Sequence, residues 1–148
     1  MEHVKEIETG LRAEDRRELE DIAGRPAIQS LLMGALCGEP CLSLWSHGGE
    51  PLALLTIIRT GLDRGTIALS GTAAIERFSI PFLRGSRDVL RRVQGDYSLL
   101  YNVCDARNEV HRRWLRWLGF NELREVPGYG AGKIPVIEFA GLRRQDHL

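Results

Sequence analysis

The sequence predicts a mixed α/β domain, a central sheet with helices on its faces. Three observations carry this. Between Cys41 and Ser70, three apolar segments follow one another through short glycine-bearing turns, which makes their strands antiparallel neighbours. A helical segment then separates the strand ending at Ser70 from the one holding Val103, and such a unit closes as a parallel pair with a right-handed crossover. The segments before Cys41 and after Asn108 repeat their apolar residues at helical spacing. The predicted order of elements is β-α-α-β-β-β-α-β-α-β-β, in one domain spanning residues 1–148.

Taken in turn, Val4 to Glu8 is expected to be a short first strand. Glu14 to Ile22 reads as a helix with a narrow apolar face of Leu19, Ile22 and Ala23 and a charged remainder. Pro26 suits the first turn of a second helix, with Ile28, Leu31, Leu32, Ala35 and Leu36 on its stripe and Gly38 and Pro40 as its stop. Strands follow at Cys41 to Ser46, Pro51 to Arg59 and Thr66 to Ser70, the second apolar enough to be buried on both faces. A helix begins around Ser79-Ile80-Pro81-Phe82, with Phe82, Val89, Leu90 and Val93 on one face. Leu99 to Cys104 is a strand and Asn108 to Leu118 a helix with the stripe Val110, Trp114, Trp117 and Leu118. Leu123 to Val126 and Val136 to Phe139 are closing strands joined by a loop from Pro127 to Pro135.

Composition narrows the function classes. With 43% hydrophobic and 27% charged residues the chain matches an ordinary globular protein. Lys+Arg and Asp+Glu are both 20, which argues against a general nucleic-acid or membrane binder. Nucleic acid could be met only by a local patch, such as Arg107, Arg112, Arg113 and Arg116. The N-terminus has no apolar signal core, and the longest apolar run, Pro51 to Leu55, is too short to span a bilayer, so an intracellular protein is expected. Cys37, Cys41 and Cys104 form no disulfide framework, and Cys37-x3-Cys41 lacks a second Cys or His pair. Buried free thiols and no metal site are expected.

The most informative stretch is Asn102 to Phe120, NVCDARNEVHRRWLRWLGF. Asn108 followed by Gly119-Phe120 fits the pattern Asn-x-x-Ala-x-x-x-Tyr-x-x-x-Gly-Phe, and with the element order it resembles the GNAT fold of acyl-CoA N-acyltransferases over about residues 10 to 140. The longer string, Asp105 to Asn108 followed by Arg113 to Phe120, resembles a narrower group, GNAT-like proteins of tailed bacteriophages that serve as internal virion or virion-assembly proteins. Gly49-Glu50-Pro51, Gly71-Thr72 and Phe82-Leu83-Arg84 are similar to that group as well.

The resemblance implies acetyl-CoA or another acyl-CoA as cofactor, held by a loop of the form Gln/Arg-x-x-Gly-x-Gly/Ala at a helix start. Ala68-x-x-Gly71-x-Ala73 keeps the small residues and loses the Gln/Arg; Phe82-x-x-Gly85-x-Arg87 keeps neither end. Arg84 or Arg87 could substitute by pairing with phosphate. Leu115 stands where the family has its proton-donating tyrosine. His111 is the candidate replacement acid, or else an ordinary helix histidine; Asp105 is a candidate base, or else a turn cap. Asn108 either borders the cofactor cleft or simply caps its helix, and Tyr129 could touch an acceptor. Together these departures imply a fold kept with weak or no acetyl transfer, and the narrower resemblance implies a place in host cytoplasm or virion with phage assembly proteins as partners. An active N-acyltransferase on an unknown amine is the alternative, and a nucleic-acid module the second.

Overall fold

The structure, a computed structural model, describes residues 1–77 and 80–143. Helices α1 (Glu2–Thr9), α2 (Ala13–Ala23) and α3 (Ala27–Cys37) precede strands β1 (Cys41–Trp45), β2 (Pro51–Arg59) and β3 (Arg64–Gly71). A 3-10 turn, Ala73–Arg77, leads towards α4 (Ile80–Val93). Then come β4 (Leu99–Asp105), α5 (Glu109–Leu118), β5 (Asn121–Tyr129) and β6 (Ile134–Leu142). The six strands form one sheet in the order β1-β2-β3-β4-β6-β5. Every neighbouring pair is antiparallel except β3–β4, which is parallel and crossed by α4, as the intervening helical segment predicts.

Each face of the sheet has its own apolar layer. Leu54 packs with Val4, Ile7, Leu11, Ala27 and Leu31 under α1 and α3. Its neighbours Ala53 and Leu55 point the other way, into the layer formed with Leu90 of α4 and Trp114, Leu115 and Leu118 of α5. Hence Ala53 to Ile57 is buried without a break, as the apolar run requires.

The sequence misplaces some elements. Val4 to Glu8 is helix, not strand. Val4 and Ile7 are both buried in one layer, and a spacing of three puts two residues on one side of a helix but on opposite faces of a strand. The observed order is therefore α-α-α-β-β-β-α-β-α-β-β. The stretch from Pro127 to Pro135 is mostly hairpin: Val126 pairs with Val136, Tyr129 with Ile134, and a bulge lies between. Pro127 is tolerated because β5 is an edge strand. The predicted helix start at Ser79 lies outside the described residues, as do residues 144–148 of the predicted domain. All three cysteines are free, but only Cys104 is buried; Cys37 is exposed, off the Ala27–Leu31–Gly34 stripe by which α3 packs.

Two features decide where a site can form. β3 and β4 pair only at their starts, Arg64–Thr66 against Leu99–Tyr101, and among the described residues no ladder joins their carboxyl halves. The Asn102 side chain bridges the divergence by donating from Nδ2 to the Ile67 carbonyl at 2.9 Å. Meanwhile α2 is anchored at both ends. The Arg12 N–H donates to the Gly71 carbonyl (3.0 Å), and the Gly132 N–H of the β5–β6 turn donates to the Asp21 carbonyl (2.7 Å).

Candidate functional site

In open α/β sheets, ligands enter beyond the carboxyl ends of the strands, at the point where strand order diverges. Here that place is the gap between the ends of β3 and β4, and polar side chains of α2 stand in it. Asp15 Oδ2 accepts from the Gly71 N–H at 2.7 Å, the last amide of β3. Glu18 Oε1 accepts from the Asp105 N–H at 2.7 Å, the last amide of β4. Both strand ends are thus capped by one helix.

The caps are themselves held. Arg12 Nη1 donates to Asp15 Oδ1 (2.7 Å) and to Asn108 Oδ1 (3.1 Å), and Asn108 Nδ2 donates to Asp15 Oδ1 (2.8 Å). Arg12 Nε reaches Glu76 of the 3-10 turn at 3.1 Å. On the other side, His111 Nδ1 lies 3.0 Å from Glu18 Oε2. Arg12, Asp15, Glu18, Asp105, Asn108 and His111 are each at most 6% exposed. Removing one member of such a buried ion pair leaves an uncompensated charge, which costs about 3–5 kcal/mol.

Burial works against a charge on His111, but the Glu18 carboxylate, by its field and its hydrogen bond and with help from Asp15, raises the imidazole pKa above its ordinary value. The imidazole is therefore held towards its protonated form beside a carboxylate. For Asp105 burial also opposes the charge, and the hydrogen bonds from Arg107 outweigh it, so its pKa is lowered. Burial pushes the Cys104 thiol strongly upward, and Glu18 adds to that.

The predicted site residues fall into two groups. Gly71, Asp105, Asn108 and His111 come together around α2. Asn108 is the N-cap of α5, its Oδ1 accepting the His111 N–H at 3.3 Å, and it also belongs to the buried network. Asp105 accepts from the Arg107 N–H and Nε, both at 2.9 Å. Arg84 and Arg87 stand apart on α4: Arg84 is exposed, while Arg87 donates to the Trp117 carbonyl (2.7 Å) and stacks on its ring at 3.9 Å. Leu115 is 3% exposed, inside the main apolar layer. Tyr129 sits half out of the β5–β6 hairpin.

Among the described residues, neither candidate loop glycine makes the phosphate cradle that the resemblance implies. A Cβ on Gly71 would lie 2.1 Å from Ile75 Cδ1, so the missing side chain makes room for Ile75. The Gly71 amide is already committed to Asp15. Gly85 lies inside α4, where backbone amides serve the helix.

Arg12, Asp15 and Glu18 are the residues that sequence reasoning misses. In sequence Asp15 and Glu18 belong to the charged remainder of the helix expected from Glu14 to Ile22 and Arg12 lies just before it, while the partners lie 96 residues away for Arg12–Asn108 and 93 for Glu18–His111. Only the register of α2 turns them inward. The four arginines of the candidate patch are largely spoken for: Arg107 pairs with Asp105 and Asp21, and Arg112 and Arg116 pair with Glu122.

Solved structures share this architecture. A GNAT-family acetyltransferase from Bacillus anthracis superposes with a TM-score of 0.69 at 8% identity, over 97% of this chain and 91% of that one. The ribosomal-protein-S18-alanine N-acetyltransferase from Escherichia coli gives 0.63 at 19% identity, over 99% and 91%. For a variant of the spermidine N-acetyltransferase SpeG from Vibrio cholerae the values are 0.56 and 9%, and this chain spans 63% of its length. No family model and no curated protein matches the sequence. The chain has the fold of the GNAT acetyltransferases. Among the described residues no helix is long and apolar enough to cross a membrane.

Proposed function

We propose that this protein uses the GNAT acetyltransferase fold as a scaffold for protein–protein contacts, with weak or no acetyl transfer, in the virion or virion assembly of a tailed bacteriophage. One observation carries the loss of transfer. The amides of Gly71 and Asp105, at the mouth of the gap between β3 and β4, are taken by Asp15 and Glu18 of the chain's own helix. An acyl-CoA entering there would have to displace two buried carboxylates and expose the charges they balance. Leu115 in the apolar layer supports the same reading, because it offers no proton to a leaving thiolate. The phage setting rests on the likeness of Asp105 to Asn108 and Arg113 to Phe120 to that group of proteins.

Thermal unfolding with and without millimolar acetyl-CoA tests the first half. A ligand at about 100 times its Kd stabilises by roughly 2.7 kcal/mol. That is about 5–10 °C in Tm for a domain of this size. No shift is expected, and a shift of that size would overturn the reading. For the second half, mass spectrometry of purified phage particles is expected to find the chain, and a gene lying outside any phage cluster would contradict it.

A second reading, an active N-acyltransferase on an unknown amine, is favoured by one feature. His111 is held towards its protonated form and its Nε2 has no partner among the described residues, as a proton donor would require. It needs Glu18 and Asp15 to leave the strand ends when acyl-CoA binds, and the same Tm measurement decides between the two.

A further inference from the structure

We propose that Glu18, Cys104 and His111 form a binding site for a zinc-class divalent metal ion. One residue comes from α2, one from β4 and one from α5. Their donor atoms all lie within 4.8 Å of one another, and all three residues are buried. No sequence spacing announces the set, because it is assembled from three elements distant along the chain.

Donor chemistry narrows the ion. A thiolate, an imidazole and a carboxylate suit a borderline-soft cation, and zinc takes this mixture in tetrahedral sites. Magnesium and calcium prefer oxygen ligands alone. Three protein ligands suffice for zinc when a water completes the tetrahedron. Bonds of about 2.0–2.3 Å place tetrahedral ligand atoms about 3.5 Å apart, so no pair would have to close by more than roughly 1 Å, and the 3.0 Å His111–Glu18 pair would open slightly.

The surroundings point the same way. His111 Nδ1 already stands 3.0 Å from Glu18 Oε2, so it is the ring nitrogen that would share an ion with that carboxylate. The groups acting on Cys104 are mainly anionic: Glu18, Glu122 and Asp105 against Arg112. That field opposes a lone thiolate and attracts a cation. The ligands are also braced from behind. The Asp105 N–H fixes Glu18 Oε1, and Asn108 Oδ1 fixes the His111 backbone. Supporting bonds of this kind orient metal ligands. A bound ion would pin α2 to β4 and α5, and the site requires no acyl-CoA.

The test is a Co²⁺ titration of reduced, metal-stripped protein. A thiolate-to-cobalt charge-transfer absorption saturating at one ion per chain is expected, displaced by Zn²⁺ and untouched by Mg²⁺. Cys104→Ser should abolish it, while the Cys37→Ser/Cys41→Ser double variant keeps it. X-ray absorption of the zinc-loaded wild type needs no variant and should show one sulfur at about 2.3 Å with nitrogen or oxygen at about 2.0–2.2 Å. No thiolate absorption, its survival in Cys104→Ser, or a sulfur count other than one would overturn the proposal. None of these readouts involves acyl-CoA, so they stand or fall apart from the proposed function.

Discussion

His111 shows how far a residue's meaning depends on what faces it. In the sequence it is a helix histidine at a position where the resemblance implies alanine, with acid or ordinary surface residue both open. In the fold it is buried against Glu18, and the carboxylate raises its pKa. A raised folded pKa has a definite sign. The contribution to stability is fully present below the unfolded value of about 6.5 and is lost as pH rises through the folded value. Urea unfolding from about pH 6.5 upward, with chelator present, should therefore show falling stability in the wild type. His111→Gln should flatten that slope, and an unchanged slope in the variant would assign the dependence elsewhere. Asn108 was readable as an N-cap from its place before the stripe of α5, and its Oδ1 does cap the helix. Its second task, bonding Asp15, depends on a helix at the other end of the chain.

At the scale of elements, α2 is the part that departs most from its appearance in sequence. The apolar stripe of Leu19, Ile22 and Ala23 gives its existence and approximate bounds, but the three are only half-buried. The residues it buries are Asp15 and Glu18. A hydrophobic pattern cannot announce a helix whose inward face is charged. What fixes the register is the pair of clamps, the bridge between Leu11 and Thr72 at one end and the β5–β6 turn at the other. Gly130 is the tightest point of that turn. Its φ is +74°, and a Cβ there would come 2.8 Å from the Ile22 Cα. Gly130→Ala should destabilise the protein by about 1–3 kcal/mol, from left-handed strain and overpacking combined. The loss should appear as faster exchange of α2 amides than of those in β2. Uniform exchange across both elements would mean the turn does not clamp α2.

For the whole molecule, the sequence carries the sheet well. Glycine turns mark the β1–β2–β3 meander, and the helix between β3 and β4 announces their parallel pairing. Two kinds of information were hidden. Short segments with two apolar residues, such as Val4 and Ile7, fit either period until a partner layer selects one. The Gly- and Pro-rich stretch after Val126 looks like a loop because its bulged edge strand uses the same residues. The gap at the ends of β3 and β4 follows from the fold, but its filling by Arg12, Asp15 and Glu18 does not, since those contacts exist only after α2 has docked. This filling is the centre of the account, and amide hydrogen exchange followed by NMR reads it at the two atoms concerned. The Gly71 and Asp105 amides should be protected nearly as well as the core of β2, with shifts and rates unchanged by millimolar acetyl-CoA. Rapid exchange at these two positions, or acetyl-CoA-dependent changes centred on them, would mean that the gap is open to ligand and that α2 does not close it.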